Sequence, residues 1–216
     1  MDHSNNVLKI FNEAAGQYQC RFMNVSAYSK SLNRFCDLLP FQNAKILDAA
    51  CGPGNISSYL KNHLLRAQIV GIDFAPKMIA RAQNNVPSGE FKQMDLRHIS
   101  QINDVFDGII CGFGLPYLSN NEAFDLMKDA HNLLSEKGIL YLSTMEGNYT
   151  NSRRIKSSTG QGEGLFTYFH DAAFLEKSLT ECGFSTPFIE RVYTSNSDGS
   201  VIKDIILIAP KGIHIS

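Results

Sequence analysis

The stretch Ile46-Leu47-Asp48-Ala49-Ala50-Cys51-Gly52-Pro53-Gly54-Asn55 constrains this chain more than any other. An apolar run passes straight into two glycines, and a segment with helical spacing follows. Glycine reaches backbone conformations closed to other residues. The stretch therefore reads as a buried strand, a tight turn and a helix behind it. Such a turn lets a ligand lie directly against backbone. A second apolar run, Gln68-Ile69-Val70-Gly71-Ile72, leads to Asp73, 25 residues after Asp48. A strand, a glycine turn, a helix and an acid at the next strand's tip form a nucleoside-binding unit.

Apolar runs and helical stretches alternate around this unit. Strands are expected at 45–48, 68–72, 90–93, 105–111 and 139–144, with helices at 55–65, 76–84 and 120–134. Pro76 suits a first helical turn, where its missing N–H is not needed. Alternation of this kind implies parallel strands joined by helical crossovers. The tail differs. Asp171 caps a helix that Gly183 ends, and strands at 188–193 and 203–209 flank the turn signal Asp198-Gly199, which predicts an antiparallel hairpin. Ahead of the core, residues 5–39 show helical spacing, with breaks expected at Gly16 and at 24–26 and a stop at Pro40.

The 216 residues, 44% of them hydrophobic, fit one α/β domain. Within 1–216 we read a helical lid (1–40), a cofactor-binding core (41–145), a lid loop (146–170) and a C-terminal helix and hairpin (171–216). The net charge of -1 gives no global attraction to nucleic acid or acidic membranes. The short basic cluster Arg153, Arg154 and Lys156 reads as a solvated loop. The five cysteines have no metal-ligand spacing, and their odd number fits reduced thiols. The first residues are polar and no apolar run reaches membrane-spanning length, so the expectation is a cytoplasmic protein, monomer or homodimer.

Charge discriminates between ligands. A dinucleotide reader carries G-x-G-x-x-G and grips a pyrophosphate at a bare helix N-terminus. Here Ser57 stands at the third glycine, and Asp48 just before the turn would repel a phosphate by about 1 kcal/mol or more at contact. The same carboxylate favours a cationic ligand. S-adenosylmethionine carries a sulfonium and an ammonium and no phosphate, and its ribose diol needs a bidentate acceptor such as Asp73.

The motifs agree in order and spacing. ILDAACGPGN, GIDFAPKMIARAQ, FKQMDLRHI, FDGIICGFGLPYL and LLSEKGILYLST resemble the successive motifs of the class I S-adenosylmethionine-dependent methyltransferases, small single-domain type, over about residues 10–210. The resemblance implies a Rossmann-like, doubly wound seven-stranded sheet, mostly parallel with an antiparallel C-terminal hairpin. It places Asp48, Ala50, Gly52, Gly54 and Asn55 around the methionine portion. Asp73 would bind the ribose hydroxyls, and Phe74 and Met78 would flank the adenine. Asp95 would accept from the adenine amino group beside the Leu96 N–H. Cys111 and Phe113 would line the methionine side, and Tyr18 would close over the cofactor. The family's first turn glycine is Ala50 here, which is unstrained only at negative φ. Competing packing roles exist: Asp73 and Asp95 as helix caps, Tyr18 and Phe113 as core.

Methyl transfer is a direct displacement at carbon, so alignment and desolvation are the enzyme's main tasks. A base is needed only where the acceptor must lose a proton. Tyr117, Glu146, Tyr168 and His170 are the polar candidates at the mouth, with His170 and Tyr117 the catalytic ones. No [DNS]-P-P-[YF] follows the fourth strand, and no Pro-Cys pair is present. The expected reaction is therefore methyl transfer to a small-molecule O or N nucleophile, yielding S-adenosylhomocysteine, without metal, nucleic acid or membrane. The alternatives are a non-catalytic S-adenosylmethionine-binding protein and an NAD-dependent oxidoreductase.

Overall fold

The structure is a computed structural model and describes residues 3–155, 164–195 and 201–212. Its centre is a seven-stranded sheet. The strands are β1 (Lys45–Ala49), β2 (Gln68–Asp73), β3 (Glu90–Gln93), β4 (Phe106–Gly112), β5 (Leu134–Met145), β8 (Phe188–Ser195) and β9 (Val201–Pro210). Two short strands, β6 (Arg153–Ile155) and β7 (Leu165–Thr167), pair with each other outside it. The sheet order is β3-β2-β1-β4-β5-β9-β8. The first five strands pair in parallel, and β9 lies antiparallel between β5 and β8. The expected C-terminal hairpin pairing is therefore present; its turn signal Asp198-Gly199 lies outside the described residues.

Side chains alternate across the sheet, and each face has its own core. Leu47, Ile72, Ile109, Cys111, Leu140, Leu142 and Leu207 point to the face covered by α5 (Asn120–Leu133) and α6 (Ala172–Glu181). Ile46, Ile69, Ile110, Tyr141, Ile206 and Ile208 point to the other face. There α2 (Ser29–Leu38) contributes Leu32 and Phe35, and α3 (Asn55–His63) contributes Ile56 and Leu60. Each such buried side chain contributes roughly 1.5–3 kcal/mol relative to exposure. Burial on both faces explains why β1, β2 and β4 read as continuous apolar runs.

Most expected elements stand within one or two residues of their predicted bounds. Three differ. First, α1 (His3–Phe22) runs unbroken through Gly16. A Cβ there would lie 3.2 Å from Arg81 Nη2, so the glycine makes room for α4 (Pro76–Asn85) rather than a break. Second, β5 begins at Leu134, directly after α5, and not at the expected 139. Leu134 already pairs with Phe106, and a Cβ at Gly138 would meet the Leu134 side chain at 2.8 Å. Third, the loop after β5 contains the β6–β7 hairpin. Arg153 and Arg154 are strand residues within it; both are solvent-exposed, as expected, but on a strand and not a loop.

Of the expected N-terminal lid, only α1 is a cover. Its Ala15 packs with Ala75 and Met78 of the α4 region, whereas α2 belongs to the sheet core. No described helix is long and apolar enough to cross a membrane.

Candidate functional site

The strand order reverses between β1 and β4, and ligands in open α/β sheets bind beyond the carboxyl ends of strands at such a switch point. A cavity of about 380 Å³ lies there. Its wall is formed by the glycine turn after β1, the tips of β2 and β4, α1 and the β6–β7 hairpin.

Asp73 is the best-organised group on that wall. Its Oδ2 accepts from the Gly52 N–H at 3.0 Å and its Oδ1 from the Ala75 N–H at 2.9 Å. One lone pair on each oxygen is left for a ligand. Burial pushes the carboxyl up to about 6, although both backbone donors act to lower it. Ala75 is the N-cap of α4 and no side chain caps that helix, so Asp73 braces the turn ahead of it and does not cap it.

The glycine turn itself is left-handed at three positions: Ala50 at φ 65, Gly52 at φ 53 and Gly54 at φ 82. Ala50 therefore lacks the negative φ that would leave it unstrained, which costs an L-residue roughly 1–2 kcal/mol. Phe113 after β4 also has positive φ, 58. Strain of this kind concentrates where a ligand is clamped. Gly52 lines the cavity below Tyr18, whose Cε1 would lie 3.8 Å from an added Cβ. Gly54 does not line it. An added Cβ there would press on Ala82 Cα at 3.1 Å, so this glycine serves the packing of the turn on α4.

The roof is aromatic. Phe11 of α1 meets Tyr18, Phe74 and Tyr117 edge-on, with ring centroids 6.0, 6.0 and 5.3 Å apart. Met78 forms a buried wall beside Phe74. The Tyr18 phenol is pushed up to about 12, first by burial and then by Asp73, and that of Tyr117 is raised further by burial. Both are hydrogen-bond donors at neutral pH.

The structure brings together Tyr18, Ala50, Gly52, Asp73, Phe74, Met78, Asp95, Leu96, Phe113 and Tyr117 on one cavity wall. Asp95 also caps the turn that follows, accepting from Arg97 N at 2.9 Å, and pairs with the Arg97 guanidinium at 3.1 Å. Other expected residues stand behind the wall. Asp48 is 1% exposed, and its Oδ2 accepts from Ser57 Oγ at 2.6 Å. Burial pushes its carboxyl up to about 7. Asn55 donates from Nδ2 to the Phe22 carbonyl at 3.0 Å and so ties the end of α1 to the start of α3. Cys111 lies in the core, its thiol pushed up to about 12 by burial.

His170 is not at the mouth. It is fully buried, with Nε2 3.1 Å from the Leu115 carbonyl and Nδ1 3.0 Å from the Asn120 side chain. Burial holds its pKa below the ordinary value, so the ring is a neutral pin between the β4–α5 loop and the hairpin's base. Glu146 is also elsewhere, paired with Arg191 at 2.7 Å and Lys203 at 2.9 Å.

Sequence reading missed Phe11, Arg97, Glu122 and Arg154 on the wall. Phe11 had a signal, because it lies seven residues before Tyr18 on the same helical face. Arg154 had none, since its place depends on the pairing of β6 with β7.

Fold, switch-point cavity and the tethered Asp73 define an α/β domain with an acid at the tip of β2 facing a cavity. Comparison with known proteins narrows this. Residues 46–138 match the family model described as a methyltransferase domain. Trans-aconitate 2-methyltransferase of Escherichia coli O139:H28 is 33% identical over 103 residues, which cover 47% of this chain and 40% of that protein. The chain thus spans less than half the length of the curated relatives it matches. Magnesium protoporphyrin IX methyltransferase from Synechocystis PCC 6803, solved with bound S-adenosylhomocysteine, aligns over 98% of this chain and 100% of its own. The TM-score is 0.71 at 22% identity. A methyltransferase from Methanosarcina mazei aligns over 83% and 97%, with a TM-score of 0.69 at 21% identity. At these identities the structural likeness establishes the fold. Residues 46–138 are thus similar to a methyltransferase domain, and the chain has the fold of solved methyltransferases.

Proposed function

We propose that this chain transfers a methyl group from S-adenosylmethionine to an O or N nucleophile of a small molecule. The observation that carries the reading is Asp73, fixed by two backbone donors at the tip of β2 and open to the cavity. A ribose diol fits such an acceptor. Phe74, Met78 and Leu96 offer apolar surface for an adenine, and Asp95 an acceptor at its edge. Asp48, one layer behind the turn, disfavours a phosphate and suits a ligand with positive charge. The same argument weighs against an NAD-dependent oxidoreductase.

When bound, S-adenosylmethionine supplies an electrophilic methyl group on a sulfonium. The chain's own task is to exclude water and to align. Tyr18 and Phe11 cover the turn, and Tyr117 and Phe113 shape the space beyond the tip of β4. Proximity and orientation in such a pocket can supply about 7–11 kcal/mol. Trans-aconitate 2-methyltransferase is named for a small organic acceptor, which supports a small molecule here. A cytoplasmic, metal-free enzyme is the reading that goes with it.

Calorimetric titration with S-adenosylmethionine, S-adenosylhomocysteine and NAD tests the proposal. Saturable binding of both adenosyl ligands is expected. Binding of NAD alone would overturn it, and binding without turnover on a broad acceptor panel would favour a non-catalytic binding protein.

A further inference from the structure

We propose that the methyl acceptor is a small carboxylic acid, held as its anion by Arg154 and methylated on a carboxylate oxygen. This rests on the methyl-transfer reading above and adds the substrate class. Two observations carry it.

The first is charge. Among the described residues, the cavity wall has five formally charged side chains: Asp73, Asp95, Arg97, Glu122 and Arg154. Arg97 is held by three partners. Its Nε donates to Glu122 at 2.6 Å, its Nη1 to Asp95 at 3.1 Å and its Nη2 to the Tyr117 carbonyl at 3.0 Å. Asp73 belongs to the turn. Among the described residues Arg154 makes one bond, from Nη1 to the Gly164 carbonyl at 3.1 Å, which braces it across the β6–β7 hairpin. Among the described residues no carboxylate pairs with it. A guanidinium has five donors in a fork that matches a carboxylate, and most of them are left. Leu165, Phe166 and Tyr168 on the same hairpin offer apolar surface for the body of the acid.

The second is proton bookkeeping. A hydroxyl or ammonium acceptor must lose a proton, and a wall group that receives it directly speeds the step. With Asp73 given to the ribose diol in this reading, no other wall group among the described residues is free to do so. Glu122 is held by the Ser119 backbone and hydroxyl at 2.7 Å as well as by Arg97. Asp95 is held by Arg97, and Tyr18 and Tyr117 are protonated donors. His170 is inside the core. A carboxylate needs no base. Its oxygen lone pair forms the O–CH3 bond, and the C–S bond breaks with its electron pair going to sulfur. The anionic and sulfonium charges cancel, and no proton is released.

Calorimetry at pH 7.5 on protein saturated with S-adenosylhomocysteine tests this, with benzoate and phenylacetate against benzamide and phenylacetamide as probes. Each acid should bind about ten- to a hundredfold more tightly than its amide, as expected for a charge-assisted pair. Arg154→Gln should erase that preference while leaving S-adenosylhomocysteine affinity within about twofold, and Arg154→Lys should restore part of it. Amides binding as well as acids would overturn the proposal. So would a preference that survives Arg154→Gln, or no saturable binding of either acid up to about 20 mM. Failure of S-adenosylhomocysteine to bind the unsubstituted protein is a separate result: it overturns methyl transfer itself, and the substrate class falls with it.

Discussion

The Ser57 hydroxyl donates to Asp48 Oδ2 at 2.6 Å, and both side chains are essentially inaccessible to solvent. The residue that breaks the dinucleotide fingerprint is therefore the partner of the acid that makes the turn hostile to phosphate. Asp48 Oδ1 has no protein partner among the described residues.

This pairing makes cofactor binding depend on pH. Burial raises Asp48 to about 7 and Asp73 to about 6. The ligand-free fold holds these protons more tightly than the unfolded chain, whose carboxyls titrate near 4. Their contribution to stability is thus full below about pH 4 and is lost as pH rises through 6 and 7. A cationic donor binds best to the ionised pair, so S-adenosylmethionine should bind roughly tenfold more weakly at pH 5.5 than at pH 8. Titration calorimetry across that range checks it. In Asp48→Asn the dependence should shrink.

Asp73→Asn should weaken S-adenosylmethionine binding by about 1.5–3 kcal/mol, because the diol loses a charged acceptor. Asn retains one oxygen for a backbone donor, so the turn survives better than in Asp73→Ala. Unchanged affinity would remove Asp73 from the ligand's contacts.

Ala50→Gly and Gly54→Ala should move stability in opposite directions. Relief of left-handed strain at Ala50, less the added freedom of the unfolded chain, predicts a gain of about 0.5–1 kcal/mol. That corresponds to roughly 1–4 °C in Tm for a chain of this size. At Gly54 the φ of 82 and the 3.1 Å approach to Ala82 Cα predict a loss instead, about 1–3 kcal/mol. Thermal unfolding of both variants without ligand measures the pair.

His170→Ala should lower stability by about 2–4 kcal/mol, by opening a cavity and orphaning the buried Leu115 carbonyl and the half-buried Asn120. The folded fraction should still bind S-adenosylhomocysteine normally and show an unchanged pH profile of kcat. A selective loss of kcat with an altered pH profile would restore His170 as a base.

Much of this was legible in sequence because it is local. Strand bounds followed apolar runs, and helix starts followed Pro76 and Asp171. The turn and Asp73 followed glycine placement and spacing. Side-chain destinations were harder. His170 sits in a polar, aromatic segment that reads as exposed, yet Leu115 and Asn120, some 50 residues away, bury it. Arg154 reads as one of a solvated cluster, yet strand pairing sets it in the cavity wall. Both depend on long-range contacts that no local pattern encodes.

Asp73 has one more consequence. Its two oxygens are tethered to Gly52 and Ala75 without any ligand. The conformational entropy of ordering this turn is therefore surrendered during folding, and little is left to lose when the nucleoside arrives. On the proposed reading the site is rigid where it would meet the ribose, so selectivity for adenosyl ligands would be stored in the apo fold.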